Sequence, residues 1–372
     1  MHTCTIPMIS IVRWLIWVTG MVSFACSGFS QSRTPHTYTL GANVYQGVVL
    51  TTSEVARFAQ TRPVGFEIFI NKNTYGHSYW EHRYHCPDIG FSLLYTDYLN
   101  PVLGKSIGGT LYMNVPILLF QRAKITVGLG TGLGYHTRPF RPPLEEGNTL
   151  LGTPVTLTMR TQFNYTRWLS KYWQATLSAK LVHYSNAAYS RPNRGVNMPM
   201  VNVGVSRLLS SEIPAYASPS EVADHEPLRR VSYYFGISTG LKTLENQGAR
   251  HGFANLHAYT TLRFSAISGL TAGLDAFLDN ATRDYIHQRF TRDYPDYRRL
   301  GLAIGHELFY HRVSVLAQIG VYLYRPYQEL YQPIYERIGL RYALSQYLLG
   351  NFTLKVHGGR AELVEFGLGV RF

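Results

Sequence analysis

The sequence predicts an all-β protein, an antiparallel transmembrane β-barrel of about 16 strands. Three observations predict it. From Thr37 onward the chain falls into segments of about 10 to 15 residues whose apolar and polar side chains alternate with period 2. The composition is 45% hydrophobic and only 15% charged, with 28 Tyr, 33 Gly and 5 Trp, a mix that suits strands, turns and an interface better than helices. Beyond the N-terminus no run reaches about eighteen apolar residues, which excludes a helical membrane protein and leaves a barrel open. The mean hydropathy of −0.09 agrees with a wall whose lipid-facing residues alternate with polar ones. So low a charged fraction also argues against a disordered or coiled-coil chain.

The elements follow in order. Arg13 precedes the apolar run Trp14–Ala25 and a stretch of small residues, so residues 1–30 read as a signal peptide that leaves Gln31 first. A lipoprotein signal ending at Cys26 is the rival. With Cys4 and Cys26 removed, only Cys86 remains and no internal disulfide can form. Loss of Arg13 takes the formal charge from +13 to +12, an excess suited to an anionic lipid surface. Candidate strands lie near 37–49, 62–72, 88–98, 105–118, 124–136, 153–168, 171–186 and 198–209, with eight more between 231 and 372. The tight turns Phe120–Lys124, Trp168–Lys171, His311–Arg312 and Ser345–Tyr347 follow even strands, which places them in the periplasm. The longer connections Thr137–Gly152, Ala187–Asn197 and Asp279–Tyr297 follow odd strands and would be extracellular. The connection ahead of Asp88 breaks this alternation, being long after an even strand.

The domain reading is a first barrel half at 31–209, a Pro-rich linker at 210–230 and a C-terminal β half at 231–372. The two halves are expected to complete one barrel. The alternative is an eight-stranded barrel followed by a second β region. The last strand alternates cleanly, with Val364, Phe366, Leu368, Val370 and Phe372 on one face. Its terminal aromatic resembles the C-terminal signal of bacterial outer-membrane proteins.

Chemistry concentrates at Leu181–Asn197. His183 and Ser185, two apart on a strand, point the same way with Cβ atoms about 7 Å apart. They continue the face of Trp173, Ala175, Leu177, Ala179 and Leu181, which is apolar and should meet lipid. Gln174, Thr176, Ser178 and Lys180 line the other, lumenal face. The bland reading makes the pair a polar rim where membrane gives way to water. The sharp one makes it a nucleophile and base positioned for an ester in a membrane lipid.

The run His183-Tyr-Ser-Asn-Ala with Pro192-Asn193 and Gly195 resembles the signature of the PagL-type lipid A 3-O-deacylases, outer-membrane barrels that remove an acyl chain from lipopolysaccharide. The motif covers about seventeen residues and the broader likeness residues 37–209. The resemblance implies Ser185 as nucleophile and His183 as general base. Asn186, Asn193 and the amides around Ala187 and Ala188 are implied as oxyanion-hole donors. It also implies a third member that orients the histidine. Here Asn197 stands where the family has glutamate, so it can accept an imidazole hydrogen bond but supplies no charge. Glu67, Asp88, Asp97, Glu145 and Glu146 are candidate substitutes. The second departure is residues 210–372, which an enzyme of this family does not need.

Other signals are weaker. Gly236-Ile-Ser-Thr-Gly240 matches a nucleophile-elbow pattern but sits in a β-patterned segment. Gly128, Gly130, Gly132 and Gly134 keep one strand face small. His77, Glu81, His82, His85, Cys86 and Asp88 contain metal donors but read as a polar turn. Tyr285, His287, Arg289, Arg292, Tyr294, Arg298 and Arg299 could hold sugar phosphate or simply be solvated.

The expectation is therefore an outer-membrane serine esterase acting on lipid A. It carries no cofactor and no metal, its partner is lipopolysaccharide or another outer-leaflet lipid, and nucleic acid is not one. The alternatives are a non-catalytic porin or structural barrel, and a phospholipase using the same dyad.

Overall fold

The computed structural model describes residues 35–51, 53–141, 147–218, 231–244 and 248–372. The expected signal peptide, residues 219–230 of the linker, and Glu145 and Glu146 lie outside the described residues. The first eight strands are β1 (Thr37–Gly47), β2 (Val64–Asn73), β3 (Asp88–Asp97), β4 (Lys105–Phe120), β5 (Ala123–His136), β6 (Val155–Trp168), β7 (Trp173–Ser185) and β8 (Val196–Leu208). The second eight are β9 (Val231–Lys242), β10 (His251–Ser265), β11 (Ser268–Asp279), β12 (Arg299–Tyr310), β13 (Val313–Tyr324), β14 (Ile334–Ala343), β15 (Leu348–His357) and β16 (Arg360–Arg371). Among the described residues two short α-helices join them, α1 (Tyr79–Arg83) and α2 (Asn280–Arg289), with one 3-10 turn at Ser53–Phe58.

Neighbouring strands pair antiparallel, as the alternation predicts, but they close as two barrels of eight. β8 returns to β1 from Thr39↔Leu208 to Gly47↔Met200. β16 returns to β9 from Phe366↔Thr239 to Arg371↔Tyr234. The expectation of one barrel completed by both halves is corrected in favour of the alternative, with the second region closed as well. Eight strands already make a wall whose interior side chains can fill, and closure removes the edges that would have joined the halves.

Both interiors are packed. In the first barrel Glu67 is buried between Arg160, 2.8 Å away, and Lys180. Asn43 Nδ2 donates to Glu67 at 2.9 Å, while Arg160 donates to Ser92 Oγ at 2.6 Å and Thr110 Oγ1 at 2.9 Å. A cavity of about 40 Å³ remains among the polar side chains of this lumen. At the end bearing the long connections an apolar plug closes it, built from Tyr45, Phe58, Tyr98, Leu150, Tyr184 and Met198 with their neighbours. The β5 glycines make room for this filling: a Cβ on Gly134 would sit 2.7 Å from the Tyr184 ring. In the second barrel Arg337 pairs with Asp275 at 2.9 Å and Glu365 at 2.7 Å, and Arg341 with Glu307 at 3.0 Å. Large apolar side chains such as Phe66, Leu111, Leu177 and Val203 face outward, the signature of a lipid-facing wall. No described helix is long and apolar enough to cross a membrane.

The barrels touch at both ends. Trp80 on α1 meets Tyr310 with ring centroids 4.3 Å apart, beside the β12–β13 turn. At the opposite end the chain after β7 bonds to Thr243, just past β9. The long connection ahead of Asp88 is thus occupied by α1 at the interface, and the strand count needs no revision there.

Candidate active site

β7 sets the site because its pleat sorts side chains by parity. Lys180, Val182 and Tyr184 are buried in the lumen, while Leu177 and Leu181 are exposed on the wall. His183 and Ser185 continue the exposed row, both half-buried at its end. Tyr184 between them anchors the strand in the apolar plug, with its ring edge-on to His136 at 4.9 Å.

Pairing of β7 with β8 brings His183 opposite Asn197. His183 Nδ1 and Asn197 Oδ1 are 2.8 Å apart, and since an amide oxygen only accepts, the imidazole donates through Nδ1. That leaves Nε2 as the lone-pair nitrogen on the face shared with Ser185. No hydrogen bond joins Nε2 to Ser185 among the described residues. Instead Ser185 Oγ accepts from Asn193 Nδ2 at 2.9 Å and from the Ala187 amide at 3.1 Å.

The loop after β7 is built around those donors. Ala187 and Ala188 both occupy the left-handed region, at φ 50° and 64°, an expensive conformation for residues with a Cβ. It turns the Ala187 amide onto Ser185 Oγ, and no hydrogen bond of the Ala188 amide is found among the described residues. Tyr189 N closes the turn on Asn186 O at 3.1 Å. Asn193 is held by the Asn186 amide, which donates to its Oδ1 at 3.3 Å, so its Nδ2 end is aimed at Ser185.

The Asn186 side chain does not join this group. Its Nδ2 donates to Ser190 O at 2.9 Å and to Thr153 Oγ1 at 3.3 Å, which makes it a brace within the loop. Gly195 is required by contact: at φ 75° its backbone closes over the imidazole, and a Cβ there would lie 2.9 Å from His183 Cε1. Its amide is fixed on Leu150 O at 2.8 Å.

None of the described candidate carboxylates, Glu67, Asp88 and Asp97, bonds to His183. Glu67 faces the lumen cations, Asp88 pairs with Lys124 at 2.6 Å and Asp97 with Lys105 at 3.4 Å. Burial, and next to it the like charges of Arg194 and Arg360, hold the Arg191 guanidinium below its usual value.

The weaker motifs resolve as structure. Ser238 of the Gly236–Gly240 run lies within β9 and not on an elbow. Its Oγ meets His257 Nε2 at 2.8 Å, and His257 Nδ1 meets Asp275 at 2.7 Å, an array with the connectivity of a catalytic triad. All three are enclosed in the second lumen, however, and Asp275 is already matched by Arg337, Tyr259 and Tyr335. The His77–Asp88 cluster lies along α1, where His77 contacts Ala215 O at 3.0 Å. No group of three metal donors gathers among the described residues. The Tyr285–Arg299 segment is not an open loop: α2 takes up its first part, capped by Asp279, which accepts from the Ala281 and Thr282 amides. Arg299 turns into the lumen to Glu362 at 3.0 Å.

Comparison with known proteins agrees with this division of the chain. The family model of lipid A 3-O-deacylase (PagL) matches residues 64–206, within the first barrel. That of the acyloxyacyl hydrolase C-terminal domain matches residues 231–372, the second barrel. No curated protein matches the chain. Among solved structures, Neisserial surface protein A aligns at 6% identity and TM-score 0.33, over 47% of this chain and 97% of its own. The NanC porin aligns at 7% identity and TM-score 0.17, over 89% and 97%. An outer-membrane channel from Pseudomonas putida F1 aligns at 9% identity and TM-score 0.20, over 92% and 97%.

Proposed function

The chain belongs to the lipid A 3-O-deacylase family, bacterial outer-membrane β-barrel hydrolases that act on esters, and from that premise we propose that it removes one fatty-acyl chain from lipid A through Ser185 and His183. The observation that carries the reading is the outward-facing pair with Asn197 bonded to His183 Nδ1, which leaves Nε2 free to act as base where acyl chains lie.

In this mechanism the long connections face the cell exterior and the ester approaches sideways from the outer leaflet. His183 Nε2 takes the Ser185 proton as Oγ bonds to the acyl carbon. The carbonyl oxygen gains the electron pair and is held by Asn193 Nδ2 and the amides of Ala187 and Ala188. Collapse expels the sugar oxygen, which takes the proton from His183. Water then attacks the acyl-enzyme with His183 again as base, releasing fatty acid and restoring Ser185. The packed lumens speak against the porin alternative.

The test is the mass of lipid A extracted from an outer membrane carrying the protein. Loss of one hydroxyacyl chain is expected. Unchanged lipid A with correctly inserted protein would refute the deacylase reading, and lysophospholipid in its place would favour the phospholipase.

Asn197 yields a further prediction. An asparagine fixes the imidazole tautomer but lends no charge to the imidazolium formed in the transition state. Asn197→Glu should therefore raise kcat by about tenfold with little change in KM, of the order of one charge-assisted hydrogen bond. Steady-state hydrolysis in mixed micelles reads this. A variant slower than the parent would mean that the amide, not charge, suits this site.

A further inference from the structure

The second barrel has no part in the mechanism above, yet one of its residues grips the loop that faces Ser185. Thr243 follows Lys242, the last residue of β9, whose ammonium is buried against Glu362 at 2.8 Å and Tyr331 at 2.7 Å. Thr243 is itself 2% exposed. Its amide donates to Ala188 O at 2.9 Å, and its hydroxyl donates to Tyr189 O at 3.0 Å. Its carbonyl accepts from Arg191 Nε at 3.1 Å. Three backbone or side-chain groups of one residue thus bind three residues of the loop. Arg250, at the entrance to β10, adds a fourth contact by lying 4.5 Å over the Tyr189 ring.

The position of these bonds matters more than their number. Two consecutive left-handed alanines persist only where the surroundings over-determine them. Ala188 O and Tyr189 O lie in the peptides whose N–H groups, those of Tyr189 and Ser190, bond back to Asn186 O at 3.1 Å and Asn186 Oδ1 at 3.5 Å, closing the turn that presents the Ala187 amide to Ser185 Oγ. Holding the carbonyls fixes these two rigid peptide planes, and with them the turn that aims the Ala187 amide at Ser185. Nothing within the first barrel makes these bonds to Ala188 O and Tyr189 O among the described residues.

We propose that Thr243 is a positioning residue for the esterase site, and that the second barrel is through it a working part of that site. The proposal rests on the reading of Ser185 as nucleophile.

The full-length protein in lipid vesicles tests it with two variants. Thr243→Val keeps shape and amide but removes the hydroxyl donor; Thr243→Ser restores the donor. Three quantities are read: hydrogen exchange of the 186–191 amides, the rate at which a long-chain alkyl fluorophosphonate labels Ser185, and kcat and KM on lipid A. For Thr243→Val we expect faster loop exchange and about tenfold lower labelling rate and kcat, with KM within about twofold, as befits one lost positioning bond. Thr243→Ser should return all three to the parent values. Unchanged exchange and unchanged labelling in Thr243→Val would overturn the proposal, as would a loss that serine fails to rescue, or one confined to KM. Should the parent protein itself resist the fluorophosphonate and leave lipid A intact, Ser185 is not the nucleophile and the proposal falls with that reading. A parent that reacts alongside an equally reactive valine variant would sink the Thr243 role alone.

Discussion

Ser185→Ala is expected to lower kcat for acyl-ester cleavage by about three orders of magnitude or more, while the protein keeps its fold. The size follows from the role. Without Oγ no acyl-enzyme forms, and water must attack directly with only His183 and the amide donors to help. Removing a nucleophile in such a set leaves only what binding and oxyanion stabilisation supply. The fold should be indifferent because Ser185 is half-buried at a strand end and its Oγ only accepts, from Asn193 Nδ2 and the Ala187 amide. Those two donors would turn to water at the rim. Hydrolysis of lipid A in vesicles, followed beside the heat-dependent gel mobility of the folded barrel, measures both. An alanine variant that keeps more than about a tenth of the parent rate would remove Ser185 from the chemistry.

Glu67→Ala should destabilise the first barrel by about 3–5 kcal/mol. Glu67 is 1% exposed and neutralises two cations that are themselves 4% exposed, Arg160 and Lys180. Taking the carboxylate away leaves both charges in a packed lumen where water can hardly enter, and a lost partner costs far more there than on a surface. Glu67→Gln should fall nearly as far, since an amide of the same size keeps contacts with Asn43 but carries no charge. Equilibrium unfolding in urea from phospholipid micelles reads the difference. A loss under about 1 kcal/mol in both variants would show that water or a counter-ion replaces the carboxylate.

Much of the fold was legible because a strand writes its two environments into successive residues. The parity of Leu177, Leu181, His183 and Ser185 alone put the pair on the outer wall, and the burial of Lys180, Val182 and Tyr184 matches it. Closure was not legible. Whether β8 pairs with β1 or with β9 changes no residue's parity, so alternation is silent on it and the choice rests on nonlocal registers. The site divides in the same way. Asn197 sits opposite His183 only through cross-strand register, and its partnership was suggested by the family motif rather than by spacing. The Asn186 side chain answers to loop geometry, which folds it back on Ser190 and Thr153, and no local pattern announces that. Thr243 left no local signal at all, since it belongs to the other half of the chain and acts only once both barrels have closed.

The outward position of His183 and Ser185 also determines which concentration the enzyme senses. A site that opens on the hydrocarbon wall samples neighbours within a two-dimensional fluid, so its reactant is a mole fraction in the leaflet and not a molarity in water. Velocity should then stay constant when vesicles are diluted with buffer at fixed composition, and fall when the ester is thinned with an inert lipid. Saturation becomes a property of how crowded the leaflet is, and turnover is tied to how fast the deacylated product drifts away along the surface.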